Sequence, residues 1–127
     1  MVRINKEITG TGGSGDPLEL PSIDITTTPY LIGNDYGYIK FDTTSGNIVT
    51  TLPDAIDFID KQQLGMLHYI RGGTNTVTIN TKSGDVIKDF LGNTYTQITL
   101  DDENDEVYLK SLNSGTWTIK GGTLSLS

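Results

Sequence analysis

From Ser22 onward, apolar and polar residues alternate with a period of two along most of the chain. Ile23 and Ile25, for example, flank Asp24. Such alternation places every second side chain on one face of a half-buried strand. Threonine, valine, isoleucine and tyrosine dominate these runs, and they suit a pleated surface. The pattern therefore predicts a chain made of β-strands.

The same alternation predicts a core. Eight apolar residues at alternate positions are expected to face the interior: Val77, Ile79, Ile98, Leu100, Val107, Leu109, Trp117 and Ile119. In "EVYLKSLNSGTWTI" (106–119) we expect Trp117 to pack against Leu109 and Val107 across the "NSGT" turn. Burial of these side chains contributes several kcal/mol, at roughly 25 cal/mol per Å². This hairpin is predicted to hold the shape of the domain rather than to perform chemistry.

Turn-forming residues separate the runs, in "GNDYG", "TTSGN", "RGGTN", "KSGD", "LGNT" and "NSGT". Short strands at close spacing with such turns predict an all-β fold, a compact sandwich or roll-like domain. Only "PDAIDFIDKQQLG" (53–65) indicates a helix. We expect about two turns there, beginning at Pro53 and ending at Gly65.

The first 21 residues differ from the rest of the chain. The stretch "ITGTGGSGDPLELP" is rich in glycine and proline, which cannot offset the entropy of an ordered backbone by burying apolar groups. We predict a flexible N-terminal arm over residues 1–21 and a β-rich domain over residues 22–127. Within the arm, "VRINKEI" could pair as a strand with a partner, and a disordered terminus is the alternative.

The composition of the chain excludes several classes of function. The 127 residues fit one domain, with sixteen acidic against nine basic residues and a net charge of −7. Such an acidic chain is not expected to bind nucleic acid or an anionic membrane. It has no cysteine, which excludes disulfides and thiol chemistry. Neither a signal peptide nor a membrane-spanning run is visible, so we expect a protein made in a cytoplasm.

Catalytic, metal-binding and cofactor-binding motifs are weak. His68, the only histidine, is expected to be structural because no nucleophile signature accompanies it. In "DDENDE" (101–106) carboxylates alternate as in an EF-hand loop, but Glu106 and Leu112 occupy its sixth and twelfth positions, so a solvated strand connection is favoured over a calcium site. "GTGGSG" lacks the lysine of a phosphate loop. We predict no enzyme, no metal and no cofactor.

Three tyrosines, Tyr30, Tyr36 and Tyr38, cluster around the "GNDYG" turn. Aromatic side chains with polar tips serve sugar and protein recognition. They also pack well across strands. Both interpretations stay open, and these tyrosines are the candidate ligand contacts.

The order of several motifs resembles a known domain. "FDTTSG", "VTTLPDA", "NTVTIN", "GDVI", "YTQITL" and the closing "EVYLKSLNSGTWTI" follow one another over most of residues 25–120. This series is similar to the small β-rich domain of bacteriophage head-fibre, tail-fibre and other virion appendage or decoration proteins. The chain departs from that pattern at "DDENDE" and at "KQQLGMLHYIRGG".

The resemblance implies a non-enzymatic structural protein of the virion: a capsid decoration or head-fibre protein, or a fibre segment. It also implies a homo-oligomer, with a trimer favoured, whose residues 1–21 attach to a capsid or fibre protein. The alternative is a receptor- or carbohydrate-binding fibre tip that contacts a host surface glycan. A tail-associated hydrolase is a third interpretation.

Overall fold

The computed structural model describes residues 20–61 and 63–124, and its regular secondary structure is almost entirely β-strand. The elements of the described chain are β1 (Ser22–Ile25), β2 (Tyr30–Leu31), β3 (Tyr38–Asp42), β4 (Ile48–Thr51), a 3₁₀ helix (Ala55–Phe58), β5 (Leu64–Ile70), β6 (Val77–Asn80), β7 (Val86–Lys88), β8 (Thr94–Tyr95), β9 (Gln97–Leu100), β10 (Glu106–Asn113) and β11 (Thr116–Thr123). This confirms the all-β prediction. Across the described ranges, no helix is long and apolar enough to cross a membrane.

The strands form two sheets. The large sheet has the order β1-β3-β5-β10-β11-β7-β8, and the small sheet has the order β2-β4-β6-β9. From β1 to β6 the chain alternates between the two sheets, and each strand from β3 to β6 is parallel to the strand two before it. Parallel neighbours need a crossover, and here each crossover is a strand of the opposite sheet. The chain from β1 to β6 therefore winds as a coil in which each winding places one strand in each sheet.

The second half is mostly antiparallel. β10 pairs with β5 on one side and with β11 on the other, and β9 closes the small sheet against β6. The predicted "NSGT" turn joins β10 to β11. Gly115 in that turn has a φ of +82°, a conformation that side-chain-bearing residues rarely adopt.

The interior between the sheets is apolar. Seven of the eight predicted core residues are buried in one cluster: Val77, Ile79, Ile98, Leu100, Val107, Leu109 and Trp117. Ile119 is half-buried and packs against the cluster.

Trp117 shares the buried cluster with its predicted neighbours Leu109 and Val107, but neither of them is its direct cross-strand partner. Its cross-strand partner is Ser111, because the hairpin register places Leu109 opposite Ile119. The indole also contacts Phe58 from the 3₁₀ helix, with 5.3 Å between ring centroids. A register irregularity between Ser111 and Asn113, which local alternation does not reveal, places Trp117 opposite Ser111.

The predicted helix is shorter than expected. It is a single 3₁₀ segment, and Gly65 lies inside β5 rather than at a helix end. Leu64 and Met66 on β5 are fully buried, so their place in the core outweighs the local helix signals around Pro53.

Residues 1–19 of the predicted arm lie outside the described residues. The last two residues assigned to the arm belong to the packed domain. Leu20 packs against the core cluster, and the carbonyl of Pro21 accepts a hydrogen bond from the backbone N–H of Gly37 at 2.8 Å.

Candidate functional site

Three of the sequence motifs meet at Ala55, the last residue of "VTTLPDA". Its backbone N–H donates to a carboxylate oxygen of Asp85, from "GDVI", at 3.0 Å. Its carbonyl accepts the hydroxyl proton of Ser111, from the closing hairpin. Ala55 and Ser111 are buried. Since the first N–H groups of a helical segment have no partner within it, Asp85 supplies the missing acceptor. These motif residues hold the domain together.

One ion pair lies beside this junction. Asp54, next to Ala55, pairs with Lys82 at 3.6 Å, and both side chains are about half exposed. Exposed ion pairs of this kind contribute little stability. The geometry of the junction is structural: the acidic side chains satisfy a backbone donor and a lysine.

His68 is completely buried on β5. Its Nε2 lies 2.7 Å from the hydroxyl of Thr43, which also accepts the backbone N–H of Gly72 at 3.2 Å. Burial lowers the pKa of His68, and the carbonyl of Leu100 opposes this in part. Within the described residues, the structure gives the buried Nδ1 atom no hydrogen-bond partner. This arrangement ties Thr43 of "FDTTSG" to the core.

Residues 101–105 of the acidic segment form the turn from β9 to β10, and Glu106 begins β10. Carboxylate oxygens of Asp101, Asp102 and Asp105 lie within 4.8 Å of one another. Asp105 accepts the backbone N–H groups of Asp101 at 3.2 Å and of Asp102 at 3.0 Å. Burial, with Asp101 beside it, raises the pKa of Asp105. Asp102 pairs with Arg71 at 3.2 Å. These carboxylates are the ones that could contact a cation, but their bonds already account for the turn.

The structure divides the three candidate tyrosines. Tyr30 on β2 lies near Tyr36 and Asp35, and burial followed by these two neighbours raises the pKa of Tyr30. Both tyrosines are half-buried. Tyr38 belongs to a different group, on the outer face of the large sheet. Only Tyr30 and Tyr36 therefore remain a pair that could contact one ligand.

Tyr38 stacks with Tyr108 across a glycine. The ring centroids are 6.2 Å apart with 23° between the ring planes, and Gly65 lies opposite both residues on the strand between them. A Cβ atom at Gly65 would lie 2.6 Å from Tyr38 and 2.8 Å from Tyr108. The Tyr38 hydroxyl donates to Glu106 at 3.3 Å. A glycine inside a strand often marks a close approach, and this was the sequence signal for the contact.

A second feature that the sequence pattern does not reveal is the turn between β7 and β8. The buried carboxylate of Asp89 accepts the backbone N–H groups of Leu91 and Asn93 and the hydroxyl of Tyr95, each at 2.9 Å. The turn that Asp89 holds presents Phe90 and Leu91 to solvent, at 86% and 74% exposure. Such exposure of two large apolar side chains is unusual in a fixed turn.

Comparison of this chain with protein-family models, with curated proteins and with solved structures finds no match.

Proposed function

We propose that this chain is a non-enzymatic structural protein of a bacteriophage-type virion, either a capsid decoration or head-fibre protein or a segment of a fibre. The observation that carries the proposal is the junction at Ala55. Residues from three motifs of the resemblance, Ala55, Asp85 and Ser111, are engaged in structural hydrogen bonds with one another. Maintaining the fold is the task of these motif residues, and a structural protein depends on its fold rather than on a reactive site.

The position of His68 supports a non-enzymatic role over a hydrolase. A general base must reach the proton that it removes, directly or through one water. The only histidine of the sequence, His68, is instead fully buried, and its Nε2 atom is hydrogen-bonded to Thr43.

The proposal includes assembly. Within the described residues, each sheet ends in strands with one neighbour only: β1 and β8 in the large sheet, β2 and β9 in the small sheet. Open edges invite pairing with another chain. We propose a homo-oligomer, with a trimer favoured, that attaches to a capsid or fibre protein through residues 1–21 and is located on the virion after synthesis in the host cytoplasm.

Two experiments test this function. Light scattering coupled to size exclusion, on the full chain and on residues 20–127, gives the oligomeric state with and without the arm. Immunogold labelling of particles of the encoding virus, with antibody raised against residues 20–127, gives the location. We expect a trimer in both forms and label on heads or tails. Absence of label from purified particles would contradict a virion role.

Tyr30 and Tyr36, beside Asp35, favour a second candidate function, recognition of a host surface glycan by a fibre tip. Aromatic rings next to a carboxylate suit sugar binding. A glycan array measures this directly. Loss of a reproducible hit in Tyr36→Ala, with the hit retained in Tyr69→Ala, would establish it. Tyr69 is the matched control because it is 49% exposed on a different strand.

A further inference from the structure

The charges of this acidic chain are distributed unevenly. Four segments, 25–34, 43–53, 72–81 and 90–100, contain no aspartate, glutamate, lysine or arginine. All four strands of the small sheet lie within these segments. Every charge of the sequence is therefore placed elsewhere, and the small sheet is electrically neutral in a protein of net charge −7.

The outer face of the small sheet is an ordered, uncharged surface. One row across it joins Leu31, Thr51, Asn80 and Gln97, and the next joins Val49, Thr78 and Thr99. Gln97 donates to Asn80 within the first row at 2.8 Å. Leu31 is 72% exposed and Val49 38% exposed. We call this surface the neutral face.

The neutral face continues around one edge of the sandwich. β8 and β9 are the last strands of their sheets on the same side, and only Thr96 separates them along the chain. Phe90 and Leu91 precede β8 in the uncharged segment 90–100. We call this side, residues 90–97, the neutral edge; two charged residues border it, buried Asp89 in the turn and Lys88 opposite Thr94. The neutral face and the neutral edge are adjacent and meet at β9.

A like-charged partner explains this arrangement. A basic partner would be drawn to the acidic surfaces, whereas two copies of an acidic chain repel each other wherever those surfaces meet. Two copies can approach without repulsion between like charges only through surfaces that carry no charge. We propose that the neutral face of one copy binds the neutral edge of the next, with Phe90 and Leu91 against Leu31 and Val49. This inference rests on the homo-oligomer of the proposed function and names its contact surfaces.

The dimensions agree with use of both surfaces. Three strands of four residues and one strand of two, about 4.8 Å apart with about 3.3 Å per residue, cover roughly 220 Å² in plan. A standard contact buries about 800 Å² per partner, so the flanking uncharged turns and the Phe90–Leu91 turn must contribute. A contact between two different surfaces is heterologous, and it closes a ring when its rotation permits. Two surfaces that meet at an angle along β9 suit a ring of few copies.

Charge insertion tests the proposal on the full chain. Thr51→Glu with Thr99→Glu adds two charges to the neutral face on strands that are not neighbours. Thr116→Glu with Thr118→Glu is the matched control, because these half-exposed threonines flank buried Trp117 on β11 of the large sheet. Light scattering over a concentration series gives the dissociation constant, and thermal unfolding followed by circular dichroism verifies that each variant folds. We expect at least tenfold weaker association for the first pair and less than twofold change for the control.

Cross-linking tests the pairing itself. The sequence has no cysteine, so introduced thiols are the only ones present. Leu31→Cys combined with Leu91→Cys is expected to give disulfide-linked dimers and closed rings after mild oxidation. Each single variant lacks one half of the heterologous contact and is expected to stay largely unlinked. Ile56→Cys with Leu112→Cys, both exposed outside the proposed contact, is the control for random collision.

The outcomes separate two failures. If the wild-type chain is oligomeric but both glutamate pairs leave it intact, the named surfaces are wrong while the proposed assembly stands. If the wild-type chain is monomeric at 100 µM, the homo-oligomer itself fails, and the inference fails with it. Cross-links in the control pair at the same yield would also overturn the proposed pairing.

Discussion

The two sheets of this domain share one interior but present different outer faces. On the large sheet the outer face carries charged groups with partners, such as Lys40 with Asp24 at 3.3 Å and Glu106 with Tyr38 at 3.3 Å. On the small sheet, the strand residues that the structure describes include no charged side chain. The alternation of apolar residues, which builds the core, is the same in both. The interior therefore determines the fold. The composition of each outer face reflects what it contacts: water on the large sheet and, by our inference, protein on the small sheet.

A matched pair of valine substitutions gives the largest expected contrast. Gly65→Val on the large sheet would drive side-chain atoms into the rings of Tyr38 and Tyr108, where even a Cβ atom lies at 2.6 Å and 2.8 Å. Overpacking of this kind costs about 1–3 kcal/mol. Thr78→Val on the outer face of the small sheet is expected to change the free energy of unfolding by less than about 0.5 kcal/mol. Urea titrations of both variants measure the difference, and equal losses would contradict the comparison.

The junction at Ala55 should be next in size. Asp85→Ala removes the acceptor of a backbone N–H, and leaving such a donor unpaired costs about 1–2 kcal/mol. Gln97→Ala removes the exposed bond to Asn80 on the small sheet, for which we expect less than about 0.5 kcal/mol. Chemical denaturation at one pH compares them. A small effect of Asp85→Ala would mean that water replaces the carboxylate.

Acid should destabilise the domain through His68. Burial lowers its pKa in the folded state, so the unfolded chain binds a proton more readily. The free energy of unfolding is therefore highest above the unfolded pKa of about 6.5 and falls as pH decreases toward the lowered folded pKa. Urea midpoints between pH 8 and pH 5 measure this slope.

His68→Leu is the control for this pH dependence, and it should flatten the slope. Asp105 changes the free energy of unfolding in the opposite direction. Its carboxyl pKa is raised in the folded state, so the folded form gains stability as pH falls through the pKa range of this carboxyl group. Asp105→Asn in parallel separates the two groups. A slope that survives His68→Leu would assign the pH dependence to other residues.

The smallest effect is expected for the exposed ion pair of the large sheet. Lys40→Met breaks the contact with Asp24, which is 70% exposed, and should cost less than about 0.5 kcal/mol. Salt should screen even this difference. Melting curves at 20 mM and 500 mM salt measure it, and the oligomeric mass should not change. A change in mass would place the assembly contact on the large sheet instead.

Local signals in the sequence predicted the strands, the turns and most of the core, because a strand with one buried face alternates whatever its partner is. They also predicted the β10–β11 hairpin from the "NSGT" turn. The parallel coil of β1 to β6 could not be predicted, since alternation does not encode which distant strand is the neighbour. The Tyr38–Gly65–Tyr108 contact and the separation of Tyr38 from Tyr30 and Tyr36 depend on that pairing. The helix prediction failed where burial of β5 overrode local preference.

The place of the closing hairpin has a consequence for biosynthesis. β10 and β11 follow the other described strands in chain order, yet they lie at the centre of the large sheet, between β5 and β7. A chain is made from its N-terminus at about 5–20 residues per second, and long-range pairings form slowly. β5 and β7 therefore leave the ribosome with unpaired edges, and the sheet can close only after Thr123 has emerged. Until then, the folded sheet cannot cover these edges, so only other components of the cell can protect them from pairing with other chains.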